Sequence, residues 1–90
     1  MFKKYQIRSH ALEILYGLYQ NLKEDLQSKI SPYDYIDGIP VEDFNMAVNY
    51  LENANYISNK EIEDDEIFCK ITAKGIDWVE DDYRKHEKNA

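Results

Sequence analysis

The sequence predicts an α+β fold in which helices frame a single β-hairpin. Three observations carry that expectation. Apolar side chains recur at three- and four-residue spacing from Tyr5 to about Asp25 and again from Val41 to Ala54, the period of amphipathic helices. Two short runs, Tyr56-Ile57-Ser58 and Ile67-Phe68-Cys69-Lys70-Ile71, flank a polar stretch, as the two arms of a hairpin would. The segment from Ala73 to about Lys85 then returns to helical spacing. A chain of 90 residues holds one core, because a domain of this size buries only about 60 to 65% of the surface its unfolded form exposes. A single domain over 1–90 is expected, with its core in about 5–85 and a frayed tail over 86–90.

In the first helix Ile7, Ala11, Ile14, Leu15, Leu18, Leu22 and Leu26 fill an arc of roughly 120°, the stripe one helix needs to dock on a core. Tyr5, Leu12, Tyr16 and Tyr19 widen it to about 200°, more than one docking face requires. Either the extra side chains cover a second core edge, or they form a dimer seam with Trp78, which points away from the last helix's core face. Ser31 and Pro32 offer an N-cap and a first-turn proline for a short second helix over Tyr33–Asp37, stopped by Gly38. Pro40 and Val41 open a third helix, with Glu42 and Asp43 in the first turn, where the macrodipole favours acids. Val41, Phe44, Ala47, Val48, Leu51 and Ala54 form its core face; Glu42, Asn45, Met46, Asn49, Tyr50 and Asn53 lie opposite. Asn55 is the expected stop. Residues Asn59 to Glu66 read as the polar tip of the hairpin, and Thr72 as the N-cap of a last helix whose Ile76, Val79 and Tyr83 share one face.

Charge is unevenly distributed. The chain carries 18 acids against 11 Lys and Arg, net −7. Residues 1–30 are net +2 and residues 67–90 are balanced, so the excess lies in residues 31–66, where ten acids face the single base Lys60, net −9. A mean hydropathy of −0.71, the lack of any apolar run near the ~18 residues of a membrane span, and an N-terminus without a signal peptide's apolar stretch give the expectation of a soluble, cytoplasmic protein.

The order helix, short helix, helix, two-stranded hairpin, helix resembles that of winged helix-turn-helix domains. Gly38-Ile39-Pro40-Val41-Glu42-Asp43-Phe44-Asn45-Met46-Ala47-Val48-Asn49-Tyr50-Leu51, followed by Tyr56-Ile57, looks like the third helix and first wing strand of that class. Ile71-Thr72-Ala73-Lys74-Gly75-Ile76 resembles the junction between its second wing strand and last helix. Within the class the chain is most similar to the YjcQ-like group of small Gram-positive bacterial and phage proteins, over about residues 7–83. The resemblance implies that the third helix enters the DNA major groove while the wing touches neighbouring phosphates.

The sequence departs from that pattern at the residues that would touch DNA. The third helix has no Lys or Arg, and the wing displays Glu61, Glu63, Asp64, Asp65 and Glu66 beside Lys60 alone. Lys and Arg contacts to phosphate supply most non-specific affinity for DNA, and five acids repel that backbone instead. Asn45, Asn49 and Asn53, at four-residue steps, point the other way, since Asn can bond adenine N6 and N7 together. Beside Met46 and Tyr50, and ringed by acids, the stripe is also suited to a protein interface or to a solvated surface. The expected function is binding a protein partner through this acidic face, by which the chain can also mimic DNA. The alternative is a dimeric DNA-binding transcriptional regulator, with Lys3, Lys4, Arg8, Lys23 and Lys29 supplying a basic surface.

No enzymatic constellation is evident, and no cofactor is implied. His10 and His86 have no second ligand at helical spacing, and Glu61–Glu66 lacks a calcium-loop pattern. Cys69 alternates with Ile67 and Ile71, which reads as a buried apolar position rather than a nucleophile. The three glycines are not clustered into a phosphate-cradling loop.

Overall fold

The computed structural model describes residues 6–24, 28–31, 40–64 and 66–88. In chain order these form α1 (Gln6–Lys23), β1 (Lys29–Ile30), α2 (Val41–Asn53), β2 (Ile57–Glu63), β3 (Glu66–Ile71) and α3 (Ala73–Lys88). The short helix expected over Tyr33–Asp37 lies outside the described residues, as do Tyr5, Asp25 and Leu26. The fold is α+β, with three helices among the described residues and an antiparallel sheet ordered β1-β3-β2.

The apolar stripe of α1 buries Ala11, Ile14, Leu15 and Leu18 completely or nearly so, against Phe44, Ala47, Val48 and Leu51 of α2. The sheet closes this core with Ile30, Ile57, Ile67 and Cys69, and α3 adds Val79. Two expected stripe residues leave the core. Leu22 stands in the last turn of α1, past Leu18, the last of its fully buried residues, and is half-exposed. Val41 is 55% exposed; it belongs to the core arc by angle, but as the first residue of α2 it extends beyond what α1 covers. Asp43, expected on the first turn, is buried.

The ends of α2 follow from its flanking residues. Pro40, with φ −59°, has no N–H to leave unsatisfied, and its carbonyl accepts the N–H groups of Asp43 and Phe44 at 3.0 and 3.1 Å. At the other end Asn55 adopts φ 66°. The Asn55 N–H donates to the Glu52 carbonyl at 3.1 Å and the Tyr56 N–H to the Leu51 carbonyl at 2.8 Å, the paired bonds of a Schellman stop. Asn tolerates the left-handed conformation better than most side chains, so the expected stop at Asn55 forms as read.

The hairpin is longer than its polarity suggested. Residues 59–63, expected in the tip, belong to β2, and Glu66 opens β3. The register pairs Ile57 with Ile71, Ser58 with Lys70, Glu61 with Phe68, Ile62 with Ile67 and Glu63 with Glu66. An irregularity between Ser58 and Glu61, with Asn59 at φ 54°, absorbs the mismatch as a bulge. Ladder hydrogen bonds to β3 hold this polar segment extended, although its side chains make little core. Strand β1 was not legible beforehand, because two residues have no period. It pairs Lys29 with Phe68 and Ile30 with Ile67.

The start of α3 locks onto the end of α2. Thr72 Oγ1 accepts the Gly75 N–H at 3.1 Å, the expected N-cap, and donates to the Asn55 carbonyl at 2.7 Å. Lys74 Nζ donates to the Ala54 carbonyl at 2.9 Å, satisfying one of the acceptors left open at a helix C-terminus. A β-carbon on Gly75 would stand 2.5 Å from the Tyr56 carbonyl oxygen and 2.8 Å from Ile71 Cγ1, so only glycine permits this approach. Helix α3 runs to Lys88 rather than fraying at His86. Val79 is its last buried residue, and Tyr83, expected beside it, is 60% exposed because α3 projects past the core there.

Candidate functional site

The outer face of α2 displays Glu42, Asn45, Met46, Asn49 and Asn53, all exposed, while Tyr50 is half-buried at its edge. The asparagines lie at four-residue steps on a regular helix, so they form one stripe. Along β2, Glu61 and Glu63 are exposed, as is Asp64 in the turn; Asp65 lies outside the described residues. Ile62 stands among these acids with 68% of its surface exposed. It alternates with Glu61 and Glu63 along β2 and pairs with Ile67, so it points to the other side of the sheet from those two acids.

Long-range contacts join α2, the hairpin and α1. Lys60 Nζ lies 3.0 Å from Glu52 Oε1 and donates to Asn49 Oδ1 at 3.3 Å, joining β2 to the asparagine stripe. Arg8 reaches from α1 to donate to Tyr50 Oη at 3.1 Å, with its guanidinium 4.5 Å from the centre of the Trp78 ring. Tyr56 packs between Tyr50 and Trp78, at ring separations of 6.4 and 4.6 Å, and Lys74 stands 4.9 Å over it. Lys29 pairs with Glu66 at 2.9 Å.

Each of these four cations, Arg8, Lys29, Lys60 and Lys74, is therefore engaged within the chain. Glu42, Glu61, Glu63 and Asp64 form no ion pair among the described residues. The described basic residues of the first thirty, Arg8, Lys23 and Lys29, do not gather beside the asparagine stripe. Arg8 reaches only Tyr50, at the edge of the face; Lys23 stands 5.7 Å over Tyr19, roughly 22 Å further along α1 at the usual rise per residue. Lys3 and Lys4 lie outside the described residues.

The described side chains of the expected dimer seam also make contacts within the chain. Leu12, Tyr16, Tyr19 and Trp78 pack half-buried against the core. Tyr16 donates to Asp82 Oδ2 and Tyr19 to Glu80 Oε2, both at 2.7 Å. Burial, aided by the bond to Asp82, pushes the Tyr16 hydroxyl up to about 12; the bond to Glu80 raises that of Tyr19. The four do not share one surface. Tyr16 and Tyr19 line one groove between α1 and α3, whereas Leu12 and Trp78 line a second, nearer the start of α1.

Cys69 is buried as expected. Burial pushes its thiol up to about 11, with Glu52 adding to the shift and Lys60 opposing it, so it is a poor thiolate nucleophile. Among the described residues, no three His, Cys, Asp or Glu side chains are grouped as metal ligands, and no helix is long and apolar enough to cross a membrane. No family model, curated protein or solved structure matches the chain.

Proposed function

We propose that the chain is a non-enzymatic winged-helix interaction protein that binds a basic surface on a partner protein through the outer face of α2 and the β2–β3 hairpin. One observation carries this reading. Arg8, Lys29, Lys60 and Lys74 are tied up within the chain, so Lys70 is the one base of the hairpin left without an ion pair, while Glu42, Glu61, Glu63 and Asp64 are exposed without ion pairs among the described residues. Acids on a rigid frame attract a basic surface over long range and raise the association rate, and a surface evolved for nucleic acid is one such partner. Exposed Met46 supplies an apolar contact amid the asparagine stripe, as the apolar part of a protein interface would. The helix order, the hairpin and the Thr72–Gly75 junction support the winged-helix assignment.

Capture from extracts of the source organism tests the proposal, with the intact chain compared with a Glu61→Lys, Glu63→Lys, Asp64→Lys variant. The expected result is a basic protein retained by the first and lost by the second. Retention of nucleic acid by the unaltered chain, resistant to the charge reversal, contradicts the proposal.

A further inference from the structure

A groove of about 520 Å³ runs between α1 and α3, with Tyr19 and Lys23 on one wall and Glu80, Tyr83, Arg84 and Glu87 on the other. Both walls are built from residues at three- and four-residue spacing, so they flank the groove as parallel ridges of the kind that seat a third helix. The charge of α3 itself indicates which helix. Residues 77–82 hold four acids and no base, and residues 84–88 hold three bases and one acid. The sign changes at Tyr83. The helix macrodipole favours the bases of the last turn but does not account for the acids, since they lie beyond the first turn of α3, which holds none. A helix acidic in one half and basic in the other is complementary to its own antiparallel copy.

We propose that a second copy of this chain lays its α3 antiparallel in the groove, about a twofold axis near Tyr83, with Arg84 of each copy against Glu80 of the other. Helical geometry supports the register. Glu80 and Arg84 are one turn apart on the groove side of α3, so reversal about the point midway between them places each level with its opposite on the second copy. The two Tyr83 rings then come within about 3 Å of each other along the axis, covering side chains that are 60% exposed in one copy. Both charges are available for the exchange. Glu80 uses Oε2 to accept from Tyr19, and its second oxygen can receive a guanidinium. Arg84 pairs within the helix to Asp81 at 3.3 Å, with both side chains more than half exposed, a contact too weak to resist displacement. The α2 and hairpin surface is not a candidate for self-association, because residues 31–66 are net −9 and repel their own copy. The inference rests on none of the residues assigned to the α2 and hairpin face.

Sedimentation equilibrium on the whole chain, on Arg84→Glu, on Glu80→Arg and on their equimolar mixture tests the arrangement. The unaltered chain is expected to dimerise. Each variant sets like charges opposite each other twice and weakens the dimer roughly tenfold or more, whereas the mixture restores both opposite-charge pairs and forms a heterodimer. Tyr83→Ala, at an exposed position, serves if either charge variant misfolds, and is expected to weaken the dimer by a similar factor. A monomeric unaltered chain at all concentrations overturns the proposal. So does undiminished dimerisation by the variants, or a mixture of folded charge variants that stays monomeric.

Discussion

Lys60 Nζ sits 3.0 Å from Glu52 Oε1 and 3.3 Å from Asn49 Oδ1, so the one base within residues 31–66 is neutralised across the joint between β2 and α2. The contact also takes up the central asparagine of the stripe that in principle can read adenine. Duplex DNA binding is accordingly expected to be absent at near-physiological salt. A mobility-shift titration with pooled genomic fragments checks this, and saturable, salt-sensitive binding lost on Asn49→Ala would favour the regulator instead.

Stability and recognition are expected to separate along α2. Phe44 and Leu51 are buried in the core, and truncating either to Ala should cost about 2 to 5 kcal/mol. Asn45 and Met46 are exposed and take part in no hydrogen bond or ion pair between described side chains, so Ala there should change stability by no more than about 0.5 kcal/mol. Denaturant melts of the four variants measure the contrast.

The two glycines among the described residues should respond to alanine with opposite signs. Nothing lies within 4 Å of a β-carbon added at Gly17, so Gly17→Ala in the middle of α1 should stabilise the fold by about 0.5 to 1 kcal/mol. At Gly75 the added atom meets the Tyr56 carbonyl oxygen at 2.5 Å. Overpacking of this kind costs roughly 1 to 3 kcal/mol, outweighing the gain in helix propensity. Thermal or urea unfolding of the pair reads both signs.

The α+β class, the place of α1, α2 and α3 in the chain, the stop at Asn55 and the cap at Thr72 were legible because each rests on local chemistry: a period, a left-handed asparagine, a hydroxyl three residues before an N–H. Strand β1 and the extended 59–63 were not, since their structure comes from hydrogen bonds to a strand distant in sequence. The acids and asparagines of the candidate face were readable from the wheel and from charge counting. Its cross-links were not: Arg8 to Tyr50 and Lys60 to Asn49 join residues 42 and 11 positions apart, with no repeat or motif to announce them. Of the aromatic excess on the first helix, Tyr16 and Tyr19 turn their hydroxyls to Asp82 and Glu80 of α3, contacts between residues more than sixty positions apart that no local signal announces.

Alkaline pH should loosen the packing of α1 on α3. The Tyr16 hydroxyl titrates near 10.0 when unfolded and at about 12 in the fold. A raised value means that the neutral form is stabilised by folding, so this contribution is whole below about pH 10 and is lost as pH climbs towards 12. Tyr16→Phe should therefore show a smaller loss of stability than the unaltered chain between pH 10 and 12, measured by urea melts, with ultraviolet titration at 295 nm following the tyrosinate.

Site-specific photo-crosslinking from position 46 tests the central claim most directly, since Met46 is exposed amid the asparagine stripe. A photoreactive phenylalanine analogue placed there, and activated in cells of the source organism, is expected to cross-link a basic protein. The adduct should diminish on Glu61→Lys, Glu63→Lys and Asp64→Lys. Cross-linking to nucleic acid, or a protein adduct indifferent to those three reversals, would contradict the assignment of this face as an acidic protein-binding surface.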